Sequence, residues 1–178
     1  VMQLLWINII SDIFPGLALS KEKPAPDLMA TPPRDSNAAL FSADDFKQML
    51  LESSIITTGS LAAYGYGLLR YGAGAQAGSL AFQSLTIGQL LHAFSCRSRH
   101  KSLFDRQHLP ANPTLSWAVG GSLVLQILTM VVPGLRNFLG VTSLGLTDAA
   151  VIGASAVLPF LANEACKLAK STAVEVKE

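Results

Sequence analysis

Asn8, Ser11 and Asp12 place an amide, a hydroxyl and a carboxylate inside the otherwise apolar run Trp6-Ile7-Asn8-Ile9-Ile10-Ser11-Asp12-Ile13-Phe14-Pro15. On an α-helix these positions are i, i+3 and i+4 and share one face. Pro15 has no N–H, so the Ser11 carbonyl is expected to lose its helical partner and turn toward a ligand. Three oxygen side chains and a freed carbonyl suit a hard cation such as calcium. A polar patch that only joins helices is the plainer alternative, and the triad set before a proline favours the cation. Met2 to Leu19 can span a bilayer core, because roughly 20 helical residues cover about 30 Å. A charge near the middle of such a helix costs about 2.5–3.5 kcal/mol, so Asp12 needs a compensating interaction.

The elements that must position these groups are read from composition and periodicity. Of the 178 residues, 50% are hydrophobic and only 14% charged, the balance of an integral membrane protein. The expected fold is all-α, a membrane helical bundle of five spans at about 2–19, 51–71, 79–95, 115–132 and 149–166. It forms one membrane domain over 1–178, with polar loops at 20–50 and 96–114. Several spans carry Ser, Thr, Gln or Gly and are expected to lean on one another. Ser42-Ala43-Asp44-Asp45 reads as an N-cap with early carboxylates, starting a helix that runs past Glu52 into the second span. Gly59, Ala63 and Gly67, spaced by four, form a small-residue stripe that lets helix backbones approach closely. Gln83 and Gln126 are expected to hydrogen-bond between helices.

Charge placement orients the bundle. The loops at 20–50 and 96–114 and the C-terminal tail hold eleven of the thirteen Lys and Arg residues, leaving Arg70 and Arg136 for the other side. The base-rich side is expected to be cytoplasmic, which puts Val1 outside or in a lumen and Glu178 in the cytoplasm. A formal net charge of +1 is too small to imply nucleic acid. Arg97, Arg99, Lys101 and Arg106 could meet anionic membrane lipid, at about 1 kcal/mol per base, although the topology signal explains them equally well. His100 and His108 in the same loop are expected to be solvated. Cys96 and Cys166 are too few and too far apart for a disulfide framework or zinc motif and are expected as reduced thiols. The first segment lacks the basic leader of a signal peptide, and the start at Val1 reads as a cut from something longer.

The Asn-x-x-Ser-Asp triad with its proline, followed by Met29-x-x-Pro32-Pro33-Arg34, closely resembles the sixth membrane helix and following loop of P-type cation-transporting ATPases, calcium-pump branch. The later segments are similar to that family's last four helices in order. The resemblance implies a C-terminal piece of a ten-helix pump that transports calcium or manganese. Its partners would be the missing catalytic domains, which use magnesium-ATP, and the first five membrane helices. It implies metal ligands at Asn8, Ser11 and Asp12. It also places Gln89 where two-site calcium pumps have a glutamate, which leaves Gln89 a weak ligand or an interhelical hydrogen-bonding group. His92 is expected to pack or hydrogen-bond rather than to ligate. Glu164 and Lys167 are expected to anchor the last helix at the interface. The stripe at Gly59, Ala63 and Gly67 would face the missing fifth helix, leaving an exposed groove. No Asp-Lys-Thr-Gly-Thr, Thr-Gly-Glu, Gly-Asp-Gly or Walker-type motif occurs in the chain. ATP hydrolysis is therefore expected of a full-length parent and not of this piece. A free-standing membrane protein that binds or regulates a partner pump is the alternative reading.

Overall fold

The computed structural model describes residues 1–24, 29, 41–98, 103 and 111–175, with side chains described up to 169. Among these the only regular structure is helical. Helix α1 is Met2–Leu19, and α2 is Ala43–Tyr71, α3 Ala75–Ser95 and α4 Pro113–Val131. A short α5, Pro133–Leu139, precedes the long α6, Leu146–Glu175. Three helices are long and apolar enough to cross a membrane: α1, α4 and the Leu146–Ala169 part of α6. The other two expected spans, α2 and α3, have the length, at 29 and 21 residues, but carry more polar side chains.

Local chemistry sets the helix ends. Ser42 and Asp45 form a reciprocal capping box: the Asp45 amide donates to Ser42 Oγ at 3.1 Å, and the Ser42 amide donates to Asp45 Oδ2 at 2.9 Å. This bears out the start expected from Ser42-Asp45, and α2 runs on without a break into the expected second span. Its chain reversal uses Gly72 at φ +77, a left-handed conformation that a side chain would oppose. Asn112 caps α4 by accepting from the Leu115 amide at 3.0 Å, with Pro113 in the first turn where its missing N–H costs nothing. Pro133 then stops α4 by holding Val132 extended, and starts α5. That short helix falls where the sequence reading has only a loop.

α3 is the axis of the bundle. It packs on α2 and α6 on one side and on α1 and α4 on the other. Its buried residues include Ser79, Gln83, Ser84, Thr86 and Ser95 beside Leu80, Phe82 and Leu90. Shielded from water, each of these polar groups must find a partner inside the protein. Gln126 Nε2 donates to Gln83 Oε1 at 2.7 Å, and Gln83 Nε2 donates to Thr129 Oγ1 at 2.8 Å. Trp6 Nε1 donates to Gln126 Oε1 at 2.8 Å, which carries the chain of bonds onto α1. Ser84 and Ser155 hydroxyls meet at 2.7 Å, joining α3 to α6. The expected interhelical role of Gln83 and Gln126 is thus met.

Two expectations need correction. The stripe at Gly59, Ala63 and Gly67 leaves no open groove among the described residues, because α3 and α6 fill it. A Cβ on Gly67 would lie 2.7 Å from the Ala77 Cα, and one on Gly59 would lie 2.4 Å from the Ser155 carbonyl oxygen and 2.6 Å from Pro159 Cγ. Pro159 sits inside α6 and has no N–H for the carbonyl four residues back, that of Ser155. The bare Gly59 backbone takes up the space beside that carbonyl. Glu164 and Lys167, in turn, do not stand exposed at the helix end; both are buried against protein, at 0% and 4% exposure. Their charges lie 3.5 Å apart. Ser95 Oγ and the Leu103 amide donate to the Glu164 carboxylate, and Lys167 Nζ donates to the Ser95 and Ser98 carbonyls. The pair ties α6 to the end of α3 by satisfying a buried charge on each side.

Gly59→Ala should therefore destabilise the bundle by about 1–3 kcal/mol, the usual cost of overpacking. Gly88→Ala, whose Cβ would meet Ile56 Cγ2 at an ordinary 3.6 Å, should change little. Thermal unfolding in detergent compares the two, and equal effects would contradict the close approach at Gly59.

Candidate functional site

The candidate ligands lie on an irregular turn of α1. From Asn8 to Ile13 the backbone is π-helical, not α-helical as the spacing argument assumed. Such single-turn bulges recur where a helix must present side chains to a site. The wider turn alters the expected consequence of Pro15. The i→i+5 partner of the Ile10 carbonyl is now Pro15, which cannot donate, and Ser122 Oγ on α4 donates to that carbonyl at 3.1 Å. The proline and the serine together hold the irregular turn against α4.

The same turn separates the three candidates. Ser11 is buried, while Asn8 and Asp12 are exposed. Ser11 Oγ has three acceptors within reach: the Ile7 carbonyl at 2.8 Å, Asp12 Oδ1 at 3.1 Å and Gln89 Oε1 at 3.1 Å. One hydroxyl proton can satisfy only one of these at a time. The cluster is rich in oxygen acceptors and short of positive charge. Ser11, Asp12 and Gln89 line a cleft of about 420 Å³ together with Pro15, Gly16, Leu19, His92, Ala93 and Cys96. Asn8 is not among the lining residues. It stands one turn away on the exposed side of α1.

Among the described residues no three His, Cys, Asp or Glu side chains come together. The oxygen donors in the cleft are one carboxylate, one hydroxyl and one amide oxygen, all hard, with the His92 imidazole and the Cys96 thiol also in its lining. They fit an oxygen-seeking cation and fall short of the six to eight ligands calcium takes. His92 belongs to the cleft wall and turns its Nε2 toward Glu52 Oε2 at 3.5 Å. This pairing with α2 agrees with its expected packing role.

The base of α1 is fixed by a group the sequence reading assigned differently. Arg97, considered for lipid, engages Glu22 instead: Nη2 donates to Oε1 at 2.6 Å, and Nε reaches Oε1 and Oε2 at 3.1 and 3.2 Å. Asn112 Nδ2 donates to Glu22 Oε2 at 2.6 Å. One carboxylate thus joins the ends of α1 and α3 and the start of α4, just below the cleft. Arg99, Lys101, Arg106, His100 and His108 lie outside the described residues. Cys96 and Cys166 form no disulfide. At the opposite end, Tyr71 donates to the buried Asp148 carboxylate at 2.8 Å, and the Gly145 amide donates to it at 2.8 Å. That latch between α2 and α6 was not foreseen, and Asp148 close behind Gly145, at the head of an apolar run, was its only signal.

An all-helical, membrane-embedded, multi-pass protein with an oxygen-rich turn in its first helix is the class these observations define. Residues 1–169 match the family model described as "Cation transporting ATPase, C-terminus", and the chain belongs to that family. It is 29% identical over 185 residues to a "Calcium-transporting ATPase 1" of Bacillus cereus, covering 95% of this chain and 21% of the relative. It is 30% identical over 151 residues to a "Calcium-transporting ATPase 1" of Schizosaccharomyces pombe, covering 85% and 17%. With the human "Calcium-transporting ATPase type 2C member 2" it shares 28% identity over 168 residues, covering 94% and 18%. The chain therefore spans about a fifth of the length of these relatives.

The Arg97 guanidinium holds the Glu22 carboxyl below the usual carboxylate range; partial burial opposes this, and the Asn112 amide adds to it. A carboxylate depressed on folding contributes stability above its unfolded pKa of about 4.3 and loses it as pH falls through the lower folded value. Arg97→Gln should lower the unfolding temperature at neutral pH. The gap to wild type should close as the pH falls through the acidic range. A gap independent of pH would show that the guanidinium acts through packing alone.

Proposed function

We propose that the chain is the transport half of an ATP-driven P-type cation pump and contributes part of a divalent-cation site for calcium or manganese. The single observation that carries this reading is the convergence of Ser11 and Gln89 beside Asp12 on the π-helical turn. Its surplus of oxygen acceptors is what a cation would neutralise. In this reading Asp12 supplies the charge, Ser11 and Gln89 supply neutral oxygens, and Asn8 faces the helices of the parent that this chain lacks. Those helices would complete the ligand set, and the catalytic domains of the parent would bind magnesium-ATP.

The topology follows from the same reading. All five long helices cross the membrane, α2 and α3 within the shelter of their neighbours. Val1 faces outside or a lumen, and Glu178 the cytoplasm. Polar α3 is admissible as a span because its Gln and Ser side chains bond to α4 and α6 rather than to lipid.

In the full-length parent, Asp12→Asn keeps the shape and removes the charge. It should abolish cation-dependent phosphorylation by ATP while the protein still reaches the membrane. Unchanged cation dependence would refute the assignment of Asp12.

A neutral Gln89 bears on stoichiometry. A unit charge at 4 Å contributes about 4 kcal/mol even at an effective dielectric near 20, so a second divalent ion is hard to hold without a carboxylate there. The parent should bind one ion per cycle, with a Hill coefficient near one. Gln89→Ala should weaken cation activation only modestly compared with Asp12→Asn. Two ions counted per phosphoenzyme would overturn the one-site reading.

A further inference from the structure

Between the second half of α1 and the start of α4 lies a groove of about 440 Å³ that the cation site does not use. Its walls are Phe14, Leu17, Trp117 and Leu125, and its floor includes Ala18 and Gly121. The floor is deep because it is made of small residues; a Cβ added at Gly121 would meet nothing within 4 Å. At one end stand Lys21 and Thr114, the only charged group and an exposed hydroxyl of the lining. The Lys21 side chain makes no ion pair or hydrogen bond among the described residues, whereas its neighbour Glu22 is taken by Arg97 and Asn112.

The groove's two ends differ in depth. Lys21 lies two residues past the end of the apolar span Met2–Leu19, and Thr114 lies in the first turn of the span Pro113–Val131. Both therefore sit where a bilayer's hydrocarbon gives way to headgroups. Trp117, 82% exposed, is one turn further in, at the level indole rings prefer. Phe14 and Leu125 lie inside the spans, at hydrocarbon depth. An apolar slot that starts at headgroup level beside a free ammonium and runs into the membrane suits the anionic headgroup and one acyl chain of a phospholipid.

We propose that this groove is a binding site for an anionic phospholipid, with an acyl chain along Ala18 and Gly121 and the phosphate at Lys21 and Thr114. The lysine supplies charge attraction to an anionic surface, and the slot supplies burial of the chain. Neutral lipid can fill the slot but gains nothing from Lys21. Selectivity for the anionic headgroup therefore rests on that one side chain.

Trp117, its signal separated from that of Trp6 by a Trp117→Phe control, reports occupancy, because bromine on an acyl chain quenches an adjacent indole. The chain is reconstituted in phosphatidylcholine vesicles carrying a small fraction of either chain-brominated phosphatidylglycerol or chain-brominated phosphatidylcholine. The anionic lipid should quench at a several-fold lower mole fraction than the neutral one. Lys21→Gln, an exposed change, should erase the difference, and Gly121→Leu, which fills open space, should reduce quenching by both lipids. Equal quenching by the two lipids in the unmodified chain would overturn the proposal in favour of unselective boundary lipid. No quenching by either would overturn it in favour of a protein occupant, and a preference that survives Lys21→Gln would overturn the assignment of the headgroup.

Discussion

A polar side chain buried in an apolar helical bundle must be paired inside the protein, and the rest of this structure follows from that constraint. Trp6, Gln126, Gln83 and Thr129 form one continuous chain of hydrogen bonds across α1, α4 and α3. The links fix the rotation of α1 directly next to the turn that carries Ser11 and Asp12. Ser122 fixes the same turn from the α4 side by donating to the Ile10 carbonyl. The Glu164–Lys167 pair does equivalent work at the end of α3, and Asp148 does it at the head of α6. Without these pairings α3 would bury several polar side chains with no partner.

Within that frame the cluster around Ser11 stands apart. Most buried donors and acceptors are matched, Asn163 and His92 Nδ1 being without a partner among the described residues, but here a single hydroxyl proton faces three acceptors. A π-helical turn, a proline that cannot donate and a carboxylate at its edge are costly features in one short segment. Their concentration at the place where oxygen side chains converge is what sets this turn apart from the structural polar groups around it.

Much of the architecture was legible in the sequence, for identifiable reasons. The apolar run from Met2 to Leu19 ends where bases begin, so its bounds were plain, and Ser42 with Asp45 announced the start of α2. Gln83 and Gln126, alone in apolar segments, had to bond across helices. Other features leave no such trace. Hydropathy has no register, so nothing in Asn8–Ile13 distinguished a π turn from an α turn. The stripe at Gly59, Ala63 and Gly67 reported a close approach but not its partner, which proved to be α3 and α6. Glu164 and Lys167 looked interfacial because an isolated i, i+3 ion pair normally is. Their burial depends on Ser95 and on Leu103, distant in sequence. Pro133 and Gly140 bracket the short α5 in the usual start and stop pattern, a signal that was there to be used.

The central claim is that the oxygen of Ser11 takes part, with Asp12 and Gln89, in holding a hard divalent cation. Metal preference in a full-length parent carrying Ser11→Cys tests it most directly, because the change substitutes a soft sulfur for a hard oxygen at one position. The account predicts that calcium becomes a poorer activator of phosphorylation by ATP while cadmium becomes a better one. An unchanged ratio of calcium to cadmium activation, in a variant that still folds and is phosphorylated, would contradict it.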